Sequence, residues 1–216
     1  MSKIASHRQS IPAVKEKAPA DDERGLERLI FFSDAVFAIA ITLLALDLRL
    51  PTGIGALSNS QLWDQLMGSW HKYLAFVISF LAIGTFWMAH HRKFRLIQRY
   101  DRGLLALNLL FLMVIAFVPF PTWVISESGN RTATIFYALT MVLAGLMLSD
   151  VWWYASRHTR LTDPQLDALQ RRRQWVSLVL TVALFAVSIG LAFLNENVAR
   201  FSWLLVVPIS RFWGKG

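Results

Sequence analysis

Six long apolar stretches dominate the chain, at roughly residues 28–49, 72–92, 104–125, 132–155, 175–194 and 198–213. A helix needs about 20 mostly apolar residues to cross the ~30 Å hydrocarbon core of a bilayer. Each stretch meets or approaches that length, the last being the shortest. Lipid offers no partner to an open sheet edge, and the runs are too long for barrel strands, so helices remain. Composition agrees: the chain is 55% hydrophobic and 17% charged, against about 45–50% and about 25% in ordinary soluble proteins. The connections are short and carry turn formers: Pro51-Thr52-Gly53, Ser128-Gly129-Asn130 and Asp163-Pro164. The expected architecture is an all-α integral membrane protein with six transmembrane helices over residues 25–216. Residues 1–24, poor in apolar side chains, are expected to form a mobile tail. The first apolar run starts near residue 28, so no cleavable signal peptide is expected. No internal repeat is visible.

The net charge of +8 raises nucleic acid as a partner, but the positions of the charges argue otherwise. Lys and Arg alternate between successive loops. The tail through Arg28, the 92–103 loop, the 156–173 loop and the C-terminus together hold eighteen. The opposite side holds four: Arg49, Lys72, Arg131 and Arg200. Basic residues stay on the cytoplasmic side of a membrane protein, so both termini are expected in the cytoplasm. The basic pI then reflects orientation and attraction to anionic lipid, and no nucleic-acid partner is expected. The chain has no Cys, which removes disulfides, thiolate metal sites and Cys nucleophiles.

The first apolar stretch contains a carboxylate, Asp34, about one and a half turns inside Arg28. A charge at that depth is costly unless paired, and marks either function or a buried hydrogen-bond anchor. Arg28, Phe32, Ser33 and Asp34 form Arg-x-x-x-Phe-Ser-Asp, followed by Ala-Ile-Ala-Ile-Thr-Leu-Leu over Ala38–Leu44. This run resembles the first-helix signature of the transmembrane protein 175 family of potassium channels. Trp87-Met88-Ala89-His90-His91 is similar to the family's Trp-x-x-His-His. Leu107-Asn108-Leu109-Leu110-Phe111 and Pro119-Phe120-Pro121-Thr122 are similar to its third helix. The resemblance covers residues 24–125 well and the second half only by helix count. It implies a homotetramer of single six-helix units in a prokaryotic plasma membrane. The first helices would line a central pore for potassium, with apolar side chains as the constriction and no cofactor. The chain contains no Thr-Val-Gly-Tyr-Gly run, so a carbonyl selectivity filter of that kind is excluded.

At about 100° per residue, with Ile39 at zero, Leu43 lies at about +40° and Leu46 at about −20°. Periodicity alone favours ordinary helix packing for this stripe, whereas the resemblance assigns the three to the pore constriction. Thr42, at about −60°, either assists there or bonds its own backbone. Asp34, at about −140°, is expected to turn into the surrounding helices, with Ala38 and Ala45 allowing close approach on that side. Leu44, at about +140°, is expected at the surface. Asp47 at the outer end either concentrates cations at the mouth or is a solvated helix-end charge beside Arg49.

Depth along alternating helices places Asp34, Trp87, His90, His91, Asn108 and Asp150 at similar levels. A hydrogen-bonded layer is expected there. The resemblance implies that such a network, carried here by Arg28, Phe32, Ser33, Asp34, Trp87, His90, His91 and Asn108, holds the pore helices together. Two alternatives remain. Asp34 and the histidines form a proton relay in a proton channel or a proton-coupled transporter. Or His90-His91 belongs to a histidine-metal membrane enzyme, for which five His in the chain, His7 and His71 lying elsewhere, are too few.

Overall fold

The computed structural model describes residues 20–49, 57–157, 161–163, 166–206 and 208. Its elements are α1 (Ala20–Leu46), α2 (Asn59–Gly68), α3 (Trp70–Phe94), α4 (Arg102–Phe117), α5 (Pro119–Ser128), α6 (Arg131–Arg157), α7 (Ala168–Leu194) and α8 (Glu196–Ser202). A 3₁₀ turn, Trp203–Leu205, follows α8. Among the described residues the extended pairing is one isolated bridge, Ile97 with Thr162. Five stretches are long and apolar enough to cross a membrane: Glu23–Leu46, Trp70–Phe94, Arg102–Ser128, Arg131–Arg157 and Ala168–Leu194. The chain is an all-helical integral membrane protein. The sixth expected segment, 198–213, begins within α8 and the 3₁₀ turn, and most of its second half lies outside the described residues. So do residues 1–19 of the expected tail and the expected Pro51-Thr52-Gly53 turn.

Several boundaries differ from the sequence expectation. α1 starts at Ala20, not near residue 28: the intervening stretch holds no Pro, and the poor helix formers Asp21, Asp22 and Gly25 are carried within the continuous helix. α3 continues through Phe94, so Arg92 and Lys93 belong to its last turn and not to a loop. α2 was not expected. Ser58 and Gln61 close a capping box at its start, and it buries none of its residues within the chain.

The third span is interrupted at Val118. Pro119 has no N–H to offer the Ile115 carbonyl, which instead takes the Val118 N–H at 3.2 Å. The ladder resumes from Thr122 N to Val118 O at 3.2 Å. Thr122 also donates to Ser79 at 2.8 Å, and Ser79 donates to the Tyr137 hydroxyl at 3.0 Å. These contacts tie α5, α3 and α6 around the break. The expected turn at Ser128-Gly129-Asn130 is present. Gly129 ends α5 in the left-handed conformation, φ 56°, where a Cβ is strained. Asn130 then caps α6, its Oδ1 accepting from Ala133 N at 2.9 Å.

α6 packs between α4 and α7, and α1 packs on α3 and α4. The 3₁₀ turn is anchored by Trp203, which stacks on Tyr137 with ring centroids 4.6 Å apart. Its indole N–H donates to Ser188 at 2.8 Å, satisfying the polar end of a buried aromatic. At the basic end, the loops after α3 and α6 join through Gln98 N to Leu161 O at 2.8 Å. Asp101 caps α4 through Leu104 N and accepts the Tyr154 hydroxyl at 2.9 Å.

Candidate pore helix and its polar anchor

α1 is strongly apolar yet poorly covered. Its span has a mean hydropathy of 2.4, above the 1.7 of α6, but only 28% of it is buried, against 50% for α6. The exposed residues are not scattered. With Ile39 at zero and about 100° per residue, the buried Leu26, Leu29, Ser33, Phe37, Ala40 and Leu44 fall within roughly +80° to +160°. The exposed Arg28, Phe31, Phe32, Ala35, Ala38, Ile39, Thr42, Leu43, Ala45 and Leu46 fall within roughly −120° to +40°. One face therefore packs on α3 and α4, and the other is left uncovered by its own chain.

Ile39, Leu43 and Leu46 lie on the uncovered face, with fractional exposures of 58%, 39% and 57%. Thr42 lies there too, and its hydroxyl donates to the Ile39 carbonyl at 2.9 Å, so the backbone alternative is the one adopted. Two expectations are corrected. Leu44 is 1% exposed, wedged into the core instead of at the surface. Ala38 and Ala45 are exposed and mediate no close approach within the chain; the small residue buried on the covered face is Ala40. Phe31, 70% exposed, is a prominent aromatic on the uncovered face that sequence reasoning missed. Its helical angle of about −80° is readable from the sequence but falls outside the narrow stripe of Ile39, Leu43 and Leu46.

Behind the covered face lies a polar chain. The Ser33 hydroxyl donates to the Leu29 carbonyl at 2.8 Å and accepts from Asn108 Nδ2 at 3.0 Å. Asn108 Oδ1 pairs with His90 Nε2 at 2.9 Å. An amide oxygen only accepts, so with the amide in this orientation the proton sits on Nε2. Ser33, Asn108 and His90 are all buried. The His90 ring is held between Phe94, centroids 4.1 Å apart, and Phe111, 5.7 Å apart. A separate bond runs from Trp87 Nε1 to Asp34 Oδ1 at 2.8 Å, and His91 stacks on Trp87 at 5.8 Å.

The structure thus brings Ser33, Asn108 and His90 into one chain and Asp34 with Trp87 into a second contact. It does not bring in Arg28 and Phe32. Both are exposed, because they share the angular stripe of Ile39. His91 enters by stacking alone. Asp150 is exposed on α6 and makes no hydrogen bond among the described residues, since depth alone does not fix the direction a side chain faces. Sequence reasoning also missed Lys93. It is fully buried, bonded to Gln174 at 3.3 Å and set over the Trp152 ring at 5.9 Å.

At the end of the bundle opposite the basic loops, Lys72 and Glu127 form an ion pair at 2.6 Å, linking α3 to α5. Asp47 lies among these charges, half-buried. Burial raises its carboxyl above the ordinary value and Glu127 adds to the rise, while Arg49 and Lys72 oppose it. Among the described residues, no group of three His, Asp or Glu side chains converges as a metal site.

Comparison with known proteins gives this arrangement relatives. A sequence profile of the family described as endosomal/lysosomal potassium channel TMEM175 matches residues 28–119. A protein of Streptomyces collinus named as a potassium channel is 40% identical over 173 residues, 78% of this chain and 82% of its own length. The human endosomal/lysosomal proton channel TMEM175 is 27% identical over 85% of this chain, which spans only 36% of the human protein. Among solved structures, a TMEM175 homolog from Chamaesiphon minutus, described as a lysosomal potassium-selective channel homolog, superposes with a TM-score of 0.74. It is 30% identical over 89% of this chain and 100% of its own. The matched profile contains the whole uncovered face of α1 together with the Ser33–Asn108–His90 anchor behind it, and the chain belongs to the TMEM175 family.

Proposed function

We propose that this chain is the subunit of a homotetrameric, potassium-permeable cation channel in a prokaryotic plasma membrane, with both termini cytoplasmic. In this reading the segment 198–213 supplies a sixth crossing. The observation that carries the proposal is the uncovered face of α1. A single unit offers one such helix, and an ion path needs several, so four copies would turn these faces toward a common axis. Ile39 then forms the narrowest ring, with Leu43 and Leu46 at the next levels over about 10 Å of helix. The Chamaesiphon and Streptomyces relatives, named as potassium channels, support the choice of ion.

An apolar ring narrow enough to expel water closes by dewetting, and a wider one passes partly hydrated ions. Potassium sheds water more readily than sodium, so the ring favours potassium without coordinating it. Thr42, bonded to its own backbone, contributes no free donor to the path. The Ser33–Asn108–His90 chain and the Asp34–Trp87 bond serve as anchors that fix the rotation of α1. Arg28 and Phe32, on the uncovered face, reach partners only in the assembly. Asp47 adds negative charge at the outer mouth.

The proton-channel alternative has one supporting observation, the name of the vertebrate relatives. The buried chain argues against a relay through it, because the Asn108 amide in its middle neither takes up nor releases protons near neutral pH. Membership of a channel family removes the histidine-metal enzyme reading.

Reconstitution in liposomes with opposed potassium and sodium gradients tests the proposal. Wild type is expected to give unitary currents with a reversal potential displaced toward potassium. Ile39→Asn puts a water-holding amide in the ring, so current should rise and the displacement shrink. Val179→Ala, exposed on α7, is the control. An unchanged Ile39→Asn, or an equal response of the control, refutes the assignment of Ile39 to the constriction.

A further inference from the structure

The pore reading leaves unused a corner of the bundle where α7 enters the membrane. Leu166, Ala168, Arg171, Arg172 and Trp175 line an open cavity of about 400 Å³. Its walls combine two guanidinium groups with an apolar floor and an indole. The Arg171 Nε–H is buried with no hydrogen-bond partner among the described residues. A buried donor without an acceptor is rare in native proteins and points to a group that is still to arrive.

The local field has the same sign. α7 is 27 residues long, has no acidic residue in its first turn, and its N-cap, Asp167, makes no side-chain capping bond. The first-turn N–H groups are therefore open to an anion, and the helix dipole favours one. From behind, α3 contributes Lys93, fully buried and bonded to Gln174, one turn along α7 from Arg171. Asp163 and Asp167 precede the helix and oppose this field, but Asp167 is exposed and screened by water.

We propose that this corner binds the phosphate of an anionic phospholipid headgroup. Arg171 and Arg172 hold the phosphate oxygens, with the Arg171 Nε–H as one donor. Trp175 and Leu166 lie against the glycerol and the first acyl carbons. The apolar floor favours lipid over free phosphate, because an ion arriving from water gains nothing from Leu166, Ala168 and the Trp175 ring. The position agrees: Ala168 begins a membrane span, at the level where Trp and Arg meet headgroups.

The test is native mass spectrometry of the purified full-length protein with phosphatidylglycerol or phosphatidylcholine, alongside thermal unfolding with each lipid. Wild type is expected to retain phosphatidylglycerol preferentially and to be stabilised by it. Arg171→Gln with Arg172→Gln should weaken that retention by roughly fivefold per arginine, whereas Arg173→Gln, outside the cavity, should change it less than about twofold. Should the double variant not fold, Arg172→Gln alone carries the same comparison, since Arg172 is exposed. Equal losses in the Arg172 and Arg173 variants mean diffuse charge and overturn the site. So does a wild type that does not discriminate between the two lipids. Inorganic phosphate that protects as well as phosphatidylglycerol overturns the lipid assignment.

Discussion

Replacing Asn108 removes the middle member of the Ser33–Asn108–His90 chain, and the geometry fixes what each loss is worth. Asn108→Leu keeps a similar volume and strands the buried His90 N–H, at about 1–3 kcal/mol for an unpaired donor. Ser33 loses less, because its hydroxyl proton stays on the Leu29 carbonyl at 2.8 Å. That adds about 0.5–1.5 kcal/mol at most. Hydrogen bonds measured within membranes average about 0.6 kcal/mol, with a maximum near 1.7. A total of about 1.5–2.5 kcal/mol is therefore expected. His90→Phe is tolerated sterically between Phe94 and Phe111, and leaves Asn108 Oδ1 unpaired at about 1–2 kcal/mol. The double variant removes both polar ends together. It should be less destabilised than the sum of the single changes by about 1 kcal/mol. The assay is reversible unfolding in mixed micelles, run as a double-mutant cycle. Additivity within about 0.3 kcal/mol would mean that the two groups do not depend on one another, and would refute the anchor.

Asp34→Ala takes the acceptor from Trp87 Nε1 and should lower thermal stability or dissociate the assembly; a stable tetramer with altered selectivity would instead mean that Asp34 meets the ions. Outer acidification should reduce potassium current as Asp47 is neutralised. Because its carboxyl is raised, mainly by burial, the fall begins above the pH of an ordinary carboxylate, and Asp47→Asn should flatten the response; an identical pH profile in that variant speaks against a mouth role. Ser128→Cys, exposed at the end of α5, should react with a membrane-impermeant thiol reagent only from outside, wild type having no Cys. Ser128 is preferred to Gly129, whose φ of 56° penalises a side chain.

Much was legible in the chain because lipid leaves few choices. A run of apolar residues in a bilayer must satisfy its backbone internally, so length and polarity alone dictated helices. The angular period placed Ile39, Leu43 and Leu46 on one stripe, and depth counted along alternating helices brought His90 and Asn108 to the level of Asp34. These are one-dimensional properties, and a sequence carries them directly. Which way a side chain turns at a given depth is not. Asp150 sits at the expected level but faces outward, while Lys93, counted among loop charges, is buried against Trp152 and Gln174. Leu44 and Ile39 are both strongly apolar, so hydropathy does not say which is covered; only the packing of α3 and α4 on α1 covers one and exposes the other. The break at Val118 was not expected within the 104–125 stretch, although Pro119 marks it, and its mending by Thr122, Ser79 and Tyr137 needed three helices at contact distance. The sequence alone determined the long apolar spans, their order and the face each could present, but not α2 or the exact ends of the helices. Tertiary structure decided which faces are covered, because burial depends on the neighbour that arrives and not on the residue that waits for it.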